Sequence, residues 1–130
     1  MAQASADGIH KIISGELKRE ELLRKSSFRS RFKLDSEDLD YIQRAGIETI
    51  RRHARDFILK RLAPASPLKD GKQTPFRGHP VFKAQHATAV CCRSCLNKWY
   101  RIPKNRPLTP AEIDYLIAVL LDWIKEKARP

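Results

Sequence analysis

Side chains able to bind metal or move protons crowd into one stretch of this 130-residue chain: His79, His86, Cys91, Cys92 and Cys95. Cys92-x-x-Cys95 has the thiolate spacing of structural zinc sites, and two histidines could complete a tetrahedron. Their distribution on a helix limits that idea. If residues 80–100 form one continuous helix, about 100° of rotation per residue puts His86 and Cys95 on opposite faces, and His79 lies roughly 24 Å from Cys95 along the axis. Two arrangements survive: a knuckle in which Cys92 to Cys95 is a turn, or a helical pair of Cys91 and Cys95 joined by His53 from a neighbouring helix. Free cysteine is also a small residue that is often buried. All three thiols fall on the apolar stripe Val81, Ala84, Thr88, Cys91, Cys92, Cys95, Leu96 and Trp99. Core packing is therefore the preferred reading: no residue is assigned as a metal ligand, no cofactor is required, and zinc is the alternative. Arg93 and a nearby histidine could lower a thiol pKa, but no nucleophile signature surrounds these cysteines.

On the other side of that expected helix stand Gln85, His86 and Arg93, with Arg77 and His79 just upstream. Histidine exchanges protons near neutral pH and arginine fixes anions bidentately. These five residues form a candidate ligand-binding site, facing a long loop and suited to a small phosphorylated or otherwise anionic molecule.

The formal net charge is +11. It is uneven: from Lys69 to Arg106 the only acid is Asp70, and that segment alone carries +8. A surface of one sign attracts polyanions and speeds their encounter. The leading expectation is a basic helical module that binds nucleic acid or another polyanion through Arg51, Arg52, Arg55, Lys72, Lys83, Lys104 and Arg106. The alternatives are an enzyme or binding protein for a small anion, and a zinc-stabilised module that binds an acidic protein. No catalytic residue is assigned, because there is no glycine-rich phosphate loop, no carboxylate pair in a plausible pocket and no HExxH helix.

The elements that must position these residues read as helices. Residues 1–8 are expected to be a disordered tail and 9–130 a single domain with its core in 27–127. Ile9 to Ser26 can form a charged helix, and 27–33 a basic connector whose phenylalanines dock on the core. Asp35 or Ser36 can cap a helix carrying Glu37 and Asp38 in its first turn and running to about Arg44. Gly46 offers a stop, after which Ile47, Ile50, Ala54, Phe57, Ile58 and Leu62 recur at helical spacing. Pro64, Pro67, Gly71, Pro75 and Gly78 force a long loop. Pro80 suits the first turn of the next helix, expected to run to about Tyr100. Pro103 and Pro107 break the chain again. Thr109-Pro110-Ala111-Glu112 then combines an N-cap, an N1 proline and a capping box, opening a helix to about Lys127. No segment alternates with period two, so the fold expected is all-α: a compact bundle of about five helices with one long Pro/Gly-containing loop.

Several strings resemble a small prokaryotic family known only as a domain of unknown function: Arg77-Gly78-His79-Pro80-Val81-Phe82, Ala84-Gln85-His86-Ala87-Thr88, Cys91-Cys92, Cys95-Leu96, Trp99 and Ile102-Pro103-Lys104. The similarity spans Ser27 to about Lys125 and includes Ile50-Arg51-Arg52-His53-Ala54 and Gly71-Lys72-Gln73-Thr74-Pro75. It implies no activity, cofactor or substrate. Asn105 stands where the resemblance leads one to expect glycine, and asparagine also tolerates left-handed backbone.

Composition excludes some classes. Hydrophobic residues are 42% and charged residues 32%, unlike a disordered polyelectrolyte, and no apolar run approaches the roughly 18 residues of a membrane span. The first residues, MAQASADGIHKII, lack the apolar core of a secretory signal, and three crowded cysteines do not suggest a disulfide framework. A cytoplasmic protein with reduced thiols and no membrane partner is expected.

Overall fold

The structure, a computed structural model, describes residues 18–130. The expected tail, and the first half of the expected helix from Ile9, lie outside the described residues. Helices account for all the regular structure among the described residues. They are α1 (18–25), α2 (Ser36–Ala45), α3 (Ile47–Arg61), α4 (Pro80–Ala87), α5 (Arg93–Tyr100) and α6 (Pro110–Lys127), with a 3-10 turn at Arg29–Arg31.

Local signals account for most boundaries. Asp35 accepts the Asp38 N–H, and Asp38 in return accepts the Asp35 N–H, at 2.9 and 3.0 Å, closing a capping box. Thr109 and Glu112 close a second at the start of α6, with proline at the first helical position. Between α2 and α3, Gly46 has φ +85° and donates to the Ile42 carbonyl. A side chain there would be strained, so glycine permits the tight reversal.

The apolar faces of α3 and α6 form the centre. Ile50, Ala54, Ile58 and Leu62 are fully buried against Leu116, Leu120 and Ile124, and Val81 and Ala84 of α4 close the third side. Each such aliphatic side chain contributes about 1.5–3 kcal/mol by leaving water. α1 is tied on by Arg19, which donates to the Trp99 carbonyl at 3.1 Å and to the Tyr115 hydroxyl at 2.8 Å and lies 4.2 Å from the Tyr100 ring centre.

The helix expected over 80–100 is two helices, and this corrects the picture of one rod with sulfur on one face and imidazole on the other. Ala89 takes left-handed backbone at φ +64°, a conformation that costs a non-glycine residue roughly 1–2 kcal/mol. The cost is offset because side chains from elsewhere capture the carbonyl oxygens that a continuous helix would use internally. Arg29 binds the His86 carbonyl, Tyr100 that of Thr88 at 2.6 Å, Gln85 that of Val90 at 3.0 Å and Thr74 that of Cys91 at 2.8 Å. No proline or glycine marks the break, so helical periodicity runs straight across it.

Arg93, at the start of α5, is fully buried. Its Nη1 donates to the carbonyls of Leu62, Ala63 and Pro64, and its Nη2 to those of Pro103 and Arg106 at 2.8 Å each. One planar guanidinium thereby joins the two proline-containing loops that follow α3 and α5. Arg93→Met should lower stability by at least about 3 kcal/mol, since it orphans buried carbonyls, and Arg93→Lys should rescue little, because a single ammonium cannot fork toward both loops. Urea midpoints of the two variants measure this.

Candidate functional site

The break after α4 is what gathers the cysteines. Cys92 is the N-cap of α5, and its sulfur accepts the Cys95 N–H at 3.3 Å. Cys91 precedes it in the turn. The Sγ atoms of Cys91, Cys92 and Cys95 all lie within 4.8 Å of one another, and those of Cys91 and Cys95 are 3.5 Å apart. Three close cysteines of this kind can bind a metal ion. The arrangement matches neither of the two the spacing allowed: Cys92 to Cys95 is the N-cap and first turn of α5 rather than a separate turn, and Cys91 joins them from the turn before it. Cys91 and Cys95 do approach each other, but across a helix start rather than within one helix, and without His53, which lies with Tyr41 and His79.

Arg29 completes the cluster. It is 9% exposed, and among the described residues it pairs with no carboxylate. Its Nη2 donates to Cys95 Sγ at 3.2 Å, and its Nη1 reaches Cys91 Sγ at 3.8 Å as well as the His86 carbonyl. A buried cation requires an anionic or strongly polar partner, and sulfur supplies it. Hydrogen bonds from the Cys91 and Cys92 thiols, with the Arg29 charge, hold the Cys95 thiol well below its ordinary range. The same hydrogen bonds and burial push Cys91 up. Sequence reasoning treated residues 27–33 as a connector and missed Arg29; the only local signal was a basic residue flanked by aromatic ones.

The expected ligand-binding residues are placed separately. Among the described residues, none of Arg77, His79, Gln85, His86 and Arg93 hydrogen-bonds to another of the five. Arg77 is exposed. Gln85 is buried and donates to Val90. His86, also buried, does face the long loop: its Nε2 lies 3.0 Å from the Thr74 carbonyl and 3.2 Å from that of Pro75. Both partners are acceptors, so Nε2 carries the hydrogen. Arg93 is the loop clamp described above.

His79 caps α4 by accepting the Val81 N–H on Nδ1 at 3.0 Å, and its Nε2 lies 2.9 Å from His53 Nδ1. With Nδ1 accepting, the proton must sit on Nε2 and point at His53. The same tautomer argues against a metal between these two rings, because Nε2 has no lone pair to offer. Tyr41 adds its hydroxyl 3.2 Å from His53 Nδ1, and Phe57 and Phe82 pack edge-on or tilted around His79.

Most basic residues expected to meet phosphate have partners within the chain. Arg55 is 2.8 Å from Asp114, Arg51 3.4 Å from Glu48 and Lys104 3.8 Å from Asp70. Arg106 grips Glu112 with two 2.8 Å bonds, which hold the Glu112 carboxyl at about 2. Lys83 bridges Asp35 and Asp38. Arg52 reaches the Thr49 hydroxyl at 3.2 Å, and Lys72 is exposed.

Fold and site together define a small all-helical domain with a three-cysteine cluster at the junction of two short helices. The chain belongs to DUF4186, a domain of unknown function, whose family model matches residues 18–125. No solved structure matches it. No helix among the described residues is long and apolar enough to cross a membrane.

Burial, then the neighbouring His53, lowers the His79 pKa from 6.5 to about 4, with Asp38 opposing. Between those values the unfolded imidazole is protonated and the folded one is not. The His79 contribution to stability is thus whole above pH 6.5 and is lost as pH falls toward about 4. His79→Asn keeps a side-chain acceptor for Val81 and removes the titration. Chemical denaturation at a series of pH values should show a shallower fall for this variant than for wild type across that window.

Proposed function

We propose that this protein is a zinc-binding domain in which Cys91, Cys92 and Cys95 hold one ion and lock the junction between α4 and α5. The observation that carries this reading is the mutual approach of three sulfur atoms within 4.8 Å. Zinc–thiolate bonds of about 2.3 Å in a tetrahedron put sulfurs about 3.8 Å apart, so small movements suffice. Thiolate-rich tetrahedral sites select zinc over hard cations such as magnesium and calcium. Charge supports the same reading: three thiolates on a divalent ion leave one net negative charge, and Arg29 is already buried against two of the sulfurs. Among the described residues no fourth histidine, cysteine or carboxylate joins the trio, so the fourth ligand is water or a donor outside the described residues.

A zinc ion here ties the turn that follows α4 to the first turn of α5, and Thr74 links the former to the long loop through the Cys91 carbonyl. The role that follows is structural: the metal holds the loop's presentation to a partner. Protein purified without added metal should carry one zinc per chain by elemental analysis. Removing it with a chelator should lower the melting temperature, and cobalt should restore that temperature with a thiolate-to-metal charge-transfer band. Cys95→Ser should lose both the metal and the band. Failure to take up either ion, or a Cys95→Ser variant that binds like wild type, overturns the reading.

A further inference from the structure

Three phenylalanines sit where a core would not put them. Phe76, in the long loop, is 61% exposed and Phe28 is 38% exposed, while Phe32 is half-buried beside them. Phe76 stacks on His86 at 4.5 Å between centres with planes 15° apart, and Phe32 stacks on the same ring at 5.2 Å and 14°. Phe28 meets Phe32 and Phe76 edge-on. The rings are mounted firmly: His86 holds the Thr74 and Pro75 carbonyls immediately before Phe76, and Thr74 is tied to Cys91. Phe76 is braced by His86, Phe32 and Phe28 and still presents most of its surface to water.

The two segments that carry these rings have charged side chains of one sign. Residues 26–34 contain Arg29, Arg31 and Lys33 and no acid, and residues 71–79 contain Lys72 and Arg77 and no acid. Arg31 lies 5.8 Å from the Phe28 ring centre. Among the described residues Arg31, Lys33 and Arg77 are exposed and form no ion pair. An exposed aromatic shelf edged by unpaired cations is complementary to stacked bases linked by phosphates, and poorly matched to an apolar protein surface that would bury those charges.

We infer that Phe76, with Phe28 and Phe32, is a stacking platform for the bases of single-stranded nucleic acid, and that Arg31, Lys33 and Arg77 hold its phosphates. Duplex buries its base faces in its own stack and cannot use the rings, so preference for single strands is the signature. The platform lies beside the proposed metal site but uses none of its ligands.

Fluorescence anisotropy with labelled oligo(dT), oligo(rU) and a duplex of equal length tests the inference on the full chain. One of the two single strands, or both, should bind more tightly than duplex, with a log–log salt slope of about −2 from three cations at about −0.7 each. Phe76→Ala should weaken that binding about tenfold, the loss of one stacked base. Phe76→Trp should retain it, and Leu68→Ala, removing a side chain that is 90% exposed elsewhere in the same loop, should not change it. Unchanged melting temperatures show that Phe76→Ala is still folded. Absence of single-strand binding at low salt, equal binding of duplex, insensitivity to Phe76→Ala, or an oligomer that dissociates in that variant would each overturn the inference, the last by showing that the patch joins copies of this chain.

Discussion

The backbone carbonyls at the junction of α4 and α5 constrain nearly everything of interest in this molecule. A chain leaving a helix after Ala87 exposes acceptors that must find donors. Here Arg29, Tyr100, Gln85 and Thr74 supply them. Each donor comes from a different part of the chain, so the break binds the 3-10 turn, the long loop and both flanking helices into one unit. The cysteines come together because the turn exists, and the turn exists because those carbonyls are satisfied.

Arg29 and Arg93 show two solutions to burying a guanidinium. Arg93 is surrounded by neutral carbonyls and acts as a clamp between loops. Arg29 has one carbonyl and two sulfurs, which makes it sensitive to the state of the thiols. The difference in partners separates a scaffold residue from one attached to chemistry, although both are cations buried in the same small domain.

The large positive charge divides in the same way. Arg51, Arg55, Lys83 and Arg106 are engaged with Glu48, Asp114, Asp35, Asp38 and Glu112, and Lys83 and Arg106 in particular are tied to carboxylates that cap helices. Arg31, Lys33 and Arg77, on the two irregular segments around Phe28 and Phe76, form no such pair among the described residues. A net charge read from composition counts both kinds alike. A cation of the second kind meets a polyanion without breaking an internal ion pair.

Helix starts at Asp35, Pro80 and Thr109, the reversal at Gly46 and the two proline-broken loops were all legible in the amino-acid order, because each rests on contacts within about four residues. So were the buried faces of α3 and α6, which follow from spacing alone. The break at Ala89 was not legible: its neighbours Thr88 and Val90 look like members of a helical stripe, and the groups that stabilise the turn include Arg29, 57 residues before His86 in the chain. The same distance hid the pairing of His53 with His79 and the placing of Arg29 over the sulfurs, 62 residues from Cys91. Local order settled which segments are helices. Packing settled where one of them stops, because a hydrogen bond between distant residues leaves no trace in the spacing of either.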